Sequence, residues 1–409
     1  MRAPHYSKNV NEIFSPEFIN DPFPLYTHLR EKKPISEIGD SGFFLVTSSE
    51  FIREILKREE DFSANLVGVL YKTSEGFPGS FDFPDTGATS VIATADGEDH
   101  ARHRKILSPA FTQQALVNFE TYIRDIAEEG LNELLCNREG SCIQIIEKIP
   151  ALAVAKLLGL PCEESDQFTK WAMIGGCMLA GEVSAKELES LARETSAMKS
   201  YLSMHFDQSH CLDSTISKPL LKLLHSECNE GTITKDEAIG ISVILFGAGG
   251  ESTSALMGSC IFYLASLPKI QEELRSNPQL IDKFIEEVIR LSPPFKFHYR
   301  SVRSSCKIGS YDFSPGQKLM LSWDSANRDE TIFEDSASFS LDRKRPKNHM
   351  GFGRGSHFCL GAVLARLETK VMVEELMNRS SNIRLQNTPN YFNSIFVRRF
   401  NSLNISIEI

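Results

Sequence analysis

The 409-residue chain has no run of about twenty apolar residues, the length needed to span a bilayer. Its best candidate, Ala238 to Gly250, is shorter and is bracketed by Lys235-Asp236-Glu237 and Glu251, which reads as a buried helix. The N-terminus lacks the apolar stretch of a signal peptide. Positive charge is in deficit: 44 Lys and Arg against 54 Asp and Glu give a net charge of −10. That argues against a general nucleic-acid binder, because phosphate recognition needs a concentrated basic surface. Glycine (25) and proline (18) are too few for a collagenous or low-complexity chain. Cysteine pairs at metal spacing are missing too. The nine cysteines are odd in number and scattered, with no C-x-x-C, so neither a disulfide framework nor a zinc site is expected. These absences point to a soluble, cytoplasmic protein with reduced thiols, no membrane anchor and no nucleic-acid partner.

What is present is mostly helical. Residues 15–30, 50–60, 100–107, 112–135, 149–158, 184–208, 235–267, 268–276 and 281–291 carry apolar residues at three- and four-residue spacing beside charged faces. Thr234-Lys235-Asp236-Glu237 has the form of a capping box opening the longest of them. Strand patterns are short: residues 42–47, 302–308 and 318–322. Residues 66–94, rich in glycine and phenylalanine, read as a functional loop or lid, and 323–350 as a polar, turn-rich connection. With no repeat and no linker, residues 1–409 are expected to form a single, mainly α domain with small β-sheets.

Chemistry concentrates in Phe352-Gly353-Arg354-Gly355-Ser356-His357-Phe358-Cys359-Leu360-Gly361. The glycines permit sharp turns and close backbone approach to a flat partner. Cys359 stands at the mouth of a helix expected over 360–377, whose N-terminal amides would favour a thiolate. Phe352, seven positions earlier, can screen one side of a cofactor. A lone Gly-x-Gly would more often mean a turn beside an inert thiol. A phosphate loop is the other rival, but no Gly-Lys-Ser/Thr follows.

The segment is similar to F-G-x-G-x-H-x-C-x-G, the cysteine-ligand signature of the bacterial cytochrome P-450 family of haem-thiolate monooxygenases. Glu287-Val288-Ile289-Arg290 resembles its E-x-x-R, and Ala248-Gly249-Gly250-Glu251-Ser252-Thr253 resembles its oxygen-activation stretch. Ala326-Asn327-Arg328-Asp329 and the run from Cys359 to Glu368 are also typical of the family, so the resemblance extends from about Asp21 to the C-terminus. It implies a triangular fold with haem b (iron protoporphyrin IX) between a long central helix and the cysteine loop.

By this resemblance Cys359 is the axial iron ligand. Its thiolate pushes electron density toward the iron and favours O–O cleavage. His100, Arg104, Arg300 and His357 are implied as partners of the haem propionates, with His349 as a further candidate. Ala248, Phe352 and Gly361 would touch the cofactor. Glu251, Ser252 and Thr253 would manage oxygen and protons, Ser252 standing where the family has threonine. Glycine at 249 costs a helix roughly 1 kcal/mol and suggests a local opening there. Glu287 and Arg290 form a structural pair. The family's usual third partner, a basic residue before Phe339, is Ser338 here, so Arg343 or Arg345 is expected to compensate.

Substrate positions implied by the resemblance are Phe77, Phe81, Phe83, Met178, Leu245, Ala248, Phe295, Phe297, Ile395 and Phe396, an aromatic and apolar lining. Lys296 and His298 are candidates to orient a polar group. No flavin or iron–sulfur signature is fused to the chain. Electrons from NAD(P)H are therefore expected through a separate ferredoxin and reductase. A basic patch from Arg102, His103, Lys105, Arg343 to Lys347, Arg354 and Arg366 would meet an acidic ferredoxin. The implied activity is insertion of one atom of O2 into a small apolar substrate by a monomeric enzyme. A haem-thiolate sensor without turnover, or rearrangement or coupling chemistry on the same haem, are the alternatives.

Overall fold

The computed structural model describes residues 9–83, 89–209 and 219–409, and helices dominate it. The longest, Lys235–Ser266, starts at the predicted capping box. The Thr234 hydroxyl accepts from the Glu237 N–H, and the Glu237 carboxylate accepts from the Thr234 N–H. This helix is long and apolar enough to cross a membrane by those criteria alone. Here other helices wrap it: Ile143–Leu158, Ser165–Ala172, Ala185–Gln208 and Ala362–Asn378 pack on it directly. An apolar surface on most sides is what a central core helix requires.

The glycines at 249 and 250 do not break this helix, contrary to the local opening expected from sequence. They allow close approach. A Cβ at 249 would come 2.7 Å from Val154, and one at 250 would collide with Ala172. The cost in helix propensity is offset by tighter packing of two neighbouring helices.

A five-stranded sheet runs in the order Ile35–Glu37, Phe43–Val46, Lys318–Ser322, Phe297–Val302, Phe62–Ser63. Only Phe43–Val46 and Lys318–Ser322 pair in parallel; the other neighbours are antiparallel. The strand expected over 302–308 is in fact the end of Phe297–Val302 followed by Cys306–Ile308, which pairs with Tyr311–Phe313. The segment expected to be a loop at 66–94 contains a hairpin, Gly68–Lys72 with Pro78–Asp82. Ion pairs pin the hairpin at both ends: Lys72 to Glu182 at 2.7 Å and Lys318 to Asp82 at 2.8 Å. Cys211 and residues 84–88 lie outside the described residues.

Candidate active site

Cys359 follows a single turn of 3-10 helix, Gly355–His357, and precedes the helix Ala362–Asn378. The Cys359 N–H donates to the Phe352 carbonyl at 2.8 Å and closes the loop. Gly353 and Gly355 have φ of +68° and +75°, a region that other residues enter only at a cost. Above the sulfur lies a cavity bounded across from the cysteine by Ala248, Gly249, Ser252 and Thr253 of the central helix.

The expected lowering of the thiol by a helix N-terminus is not the dominant influence. The helix begins two residues later than predicted, and burial pushes the Cys359 thiol up, opposed by the Gly361 amide, Arg366 and Arg104. A thiolate here depends on a bound cation, since a coordinating thiol is deprotonated by its metal.

His100, Arg104, Arg300 and His357 come from three separate elements and all reach this cavity. The rings of His100 and His357 stack at 3.9 Å. Burial holds both imidazoles low, and Arg300 with His100 helps bring His357 down to about 3. Arg104 donates to the Phe358 carbonyl at 2.8 Å. Arg300 donates to its neighbour's carbonyl, Tyr299 O, at 2.7 Å, and no carboxylate pairs with it among the described residues. Burial depresses even this guanidinium to about 10. An enclosed cation without a counter-ion is a demand for an anion, and haem carboxylates meet it. Phe352, Gly361 and Ala248 line the same space. These residues fit a haem whose iron faces Cys359.

His349 does not join them. Its Nε2 lies 3.0 Å from Glu286, its Nδ1 accepts from the Gly351 N–H, and it is buried away from the cavity.

Ser252 and Thr253 face the cavity, and the Ser252 hydroxyl donates to the Ala248 carbonyl four residues back at 2.5 Å. Glu251 points elsewhere. It is fully buried, its Oε1 accepts from Arg399 Nε at 3.0 Å, and it lies close against Gly176, where any Cβ would collide with the carboxylate. Burial raises it to about 7, with Arg399 pulling the other way. Arg399, 148 residues away, carries no local sequence signal for this role.

Of the substrate positions, Leu245, Ala248 and Phe295 line the cavity. Phe297, Ile395 and Phe396 are buried behind that wall, Phe396 stacking on Phe295 at 4.6 Å. Phe77 and Phe81 of the hairpin, Phe83 just beyond it, and Met178 are exposed instead of facing inward. Strand pairing sends successive side chains to opposite faces, and a loop reading could not anticipate that register. Ile92, Ala93, Ile244 and Pro294 also line the wall and were not anticipated.

Glu287 and Arg290 are fully buried and joined by two bonds of 2.8 Å. Arg343 compensates for the missing basic residue at 338, donating to both oxygens of Glu287 at 2.9 and 3.0 Å. Ser338 contributes its carbonyl to Arg290. The expected basic patch loses several members to such pairs. Arg343 is taken by Glu287, Arg102 and His103 by Glu237, and Arg366 by Glu286. Arg354 donates to Asn348. Lys105, Lys344, Arg345 and Lys347 remain exposed, without ion pairs among the described residues.

A cytochrome P450 sequence profile matches residues 184–390. Cytochrome P450 144 of Mycobacterium tuberculosis is 34% identical over 98% of this chain and 92% of its own. Cytochrome P450(BM-1) of Priestia megaterium is 28% identical over 93% and 90%. Among solved structures, CYP109E1 from Bacillus megaterium in complex with testosterone superposes with a TM-score of 0.83 at 26% identity, covering 97% of this chain and 99% of that one. The fold, the cysteine loop opposite the central helix and these similarities agree, and the chain belongs to the cytochrome P450 family of haem-thiolate monooxygenases.

Proposed function

We propose that this enzyme hydroxylates a small apolar organic substrate, with Cys359 as the thiolate that would hold haem b and with electrons passed from NAD(P)H through a separate ferredoxin and reductase. The observation that carries the reading is a single cavity with a thiol on its floor, an unpaired guanidinium at its edge and a hydroxyl on the facing helix. Haem, when bound, supplies the activation of dioxygen. The chain's own groups position, neutralise and deliver protons.

Arg104, Arg300, His100 and His357 would hold the two carboxylates of the cofactor, two of them from one early helix and two from the last third of the sequence. Leu245, Ala248 and Phe295 give the substrate an apolar wall. Ser252 keeps a hydroxyl that both donates and accepts, although without the methyl that stiffens threonine. Glu251, poised near neutral pH, would exchange protons with the region behind the helix. That route needs a rotation away from Arg399, or bridging water.

Reconstitution with a surrogate ferredoxin, its reductase and NADPH tests the activity. Substrate-dependent product containing an oxygen atom from O2 is expected; haem reduction without product would favour a sensor. In the same assay Ser252→Ala is expected to raise the hydrogen peroxide released per NADPH several-fold and to lower the product formed per NADPH correspondingly. Unchanged product and peroxide would remove Ser252 from the reading.

The exposed Lys344, Arg345 and Lys347 support a docking patch for an acidic ferredoxin. Reversing Lys344 and Arg345 to glutamate is expected to slow reduction by ferredoxin, most strongly at low salt, while substrate affinity is unaltered. Equal losses in both would count against the patch.

A further inference from the structure

His298, one of the two candidates from sequence to orient a polar group of the substrate, lines the cavity and takes no part in holding the cofactor or moving protons above. It stands in the strand Phe297–Val302 two residues before Arg300, so the two side chains leave the same face of the strand. Trp323 Nε1–H donates to His298 Nδ1 at 2.7 Å. An indole nitrogen can only donate, so Nδ1 must carry the lone pair and the ring proton must sit on Nε2. A ring that accepts at Nδ1 is neutral, and although its edge is open to the cavity, the protein packed around it, reinforced by Arg300, pushes the imidazole down to about 4. Phe295 and Phe396 flank it nearly edge-on, at 5.6 and 5.8 Å. Nε2–H has no protein acceptor among the described residues.

Lys296, the other polar candidate on this segment, is turned away. Its Nζ donates to the carbonyls of Ile19 and Ser394, at 3.1 and 2.8 Å, and ties the segment to an N-terminal helix and to the C-terminal loop. The wall therefore presents a neutral N–H donor of fixed tautomer, set among aromatic rings.

We propose that His298 Nε2–H is a specificity-determining donor that binds an oxygen acceptor on the substrate, so that the enzyme selects oxygen-bearing apolar molecules over the corresponding hydrocarbons. This rests on the monooxygenase reading of the same cavity. The selection follows from the cost of an unpaired donor. A hydrocarbon filling the same space strips water from Nε2–H and returns nothing, whereas a carbonyl, carboxylate or hydroxyl oxygen restores the bond. Because Trp323 fixes the tautomer, the ring cannot turn acceptor without orphaning the indole. The carboxylates of the cofactor are the competing acceptors, but four other side chains already converge for them.

The test compares haem-loaded wild type, His298→Asn and His298→Leu by optical titration. The probes are matched pairs: progesterone and pregnane, palmitic acid and hexadecane, acetylphenylimidazole and phenylimidazole. Asparagine can still accept from Trp323 at the place of Nδ1 but does not reach the place of Nε2, so it separates the structural bond from the proposed one. In wild type the oxygenated member of at least one pair is expected to bind ~5–10-fold more tightly, the yield of one neutral hydrogen bond. His298→Asn should erase that preference and leave the affinity of the oxygen-free member within about twofold. No preference in any wild-type pair, or one that survives in both variants, would overturn the proposal. Faster haem transfer to apomyoglobin with preference unchanged would also overturn it, by moving His298 to the cofactor's edge. Carbon monoxide spectra of the same reduced samples keep the outcomes apart, because a wild type without the thiolate band fails the monooxygenase reading itself.

Discussion

Replacing Cys359 by histidine is expected to abolish product formation and to remove the red-shifted Soret band that thiolate ligation gives the reduced, carbon monoxide-bound protein. The loss should exceed the ~10–100-fold that outer partners of a metal site contribute, because the ligand itself is exchanged. The reason lies in the loop. Gly353 and Gly355 in left-handed conformations and the Cys359 N–H bond to Phe352 hold the sulfur at the cavity floor, and the Gly361 amide points at it. Imidazole lacks the electron donation that favours O–O cleavage, so haem bound to the variant should behave as a histidine-ligated protein. An unchanged spectrum in Cys359→His would mean that another residue holds the iron, and the reading of the cavity would fall.

Glu287→Gln is expected to destabilise the folded protein by about 3–5 kcal/mol, the range for a buried ion pair that loses one partner. Its carboxylate accepts from Arg290, Arg343 and the Ser340 N–H, and the first two bring positive charge into a region closed to water. Without the negative charge, Arg290 stays buried among carbonyls of Asn327, Ser336 and Ser338. A typical domain has only ~5–15 kcal/mol in all, so poor haem retention and a much lower melting temperature should follow. Arg343→Ala should cost less, since that side chain is 10% exposed and Arg290 remains paired. A Glu287→Gln variant melting with wild type would show that the pair is dispensable.

Glu287 and Arg290 were legible because one helical turn brings i and i+3 together whatever the surroundings. Arg343 was legible only as one of two candidates. The choice between it and Arg345 was made by the irregular segment after Phe339, whose path no periodicity encodes. The same contrast separates Phe81 of the hairpin from Leu245 of the central helix. A helix face follows from spacing, while the facing of Phe81 follows from strand register and from the ion pairs of Lys72 and Lys318, partners hundreds of residues apart in the latter case.

Glu251 is the clearest case of a residue whose identity was readable and whose direction was not. Its neighbour Ser252 faces the cavity, and a turn of about 100° per residue carries Glu251 toward Gly176 and Arg399. His298 is similar, since only the bond from Trp323 fixes which nitrogen carries the proton.

Local patterns along the chain were sufficient for the family, the cysteine, the central helix with its capping box and the residues that surround the cofactor's edge, because each depends on neighbours within one or two turns. Tertiary structure alone decided which cations stay free, which aromatics face the substrate and where Glu251 and His298 point. Those outcomes depend on charges and backbone groups delivered from distant segments, and burial makes each unpaired one too costly to leave to chance.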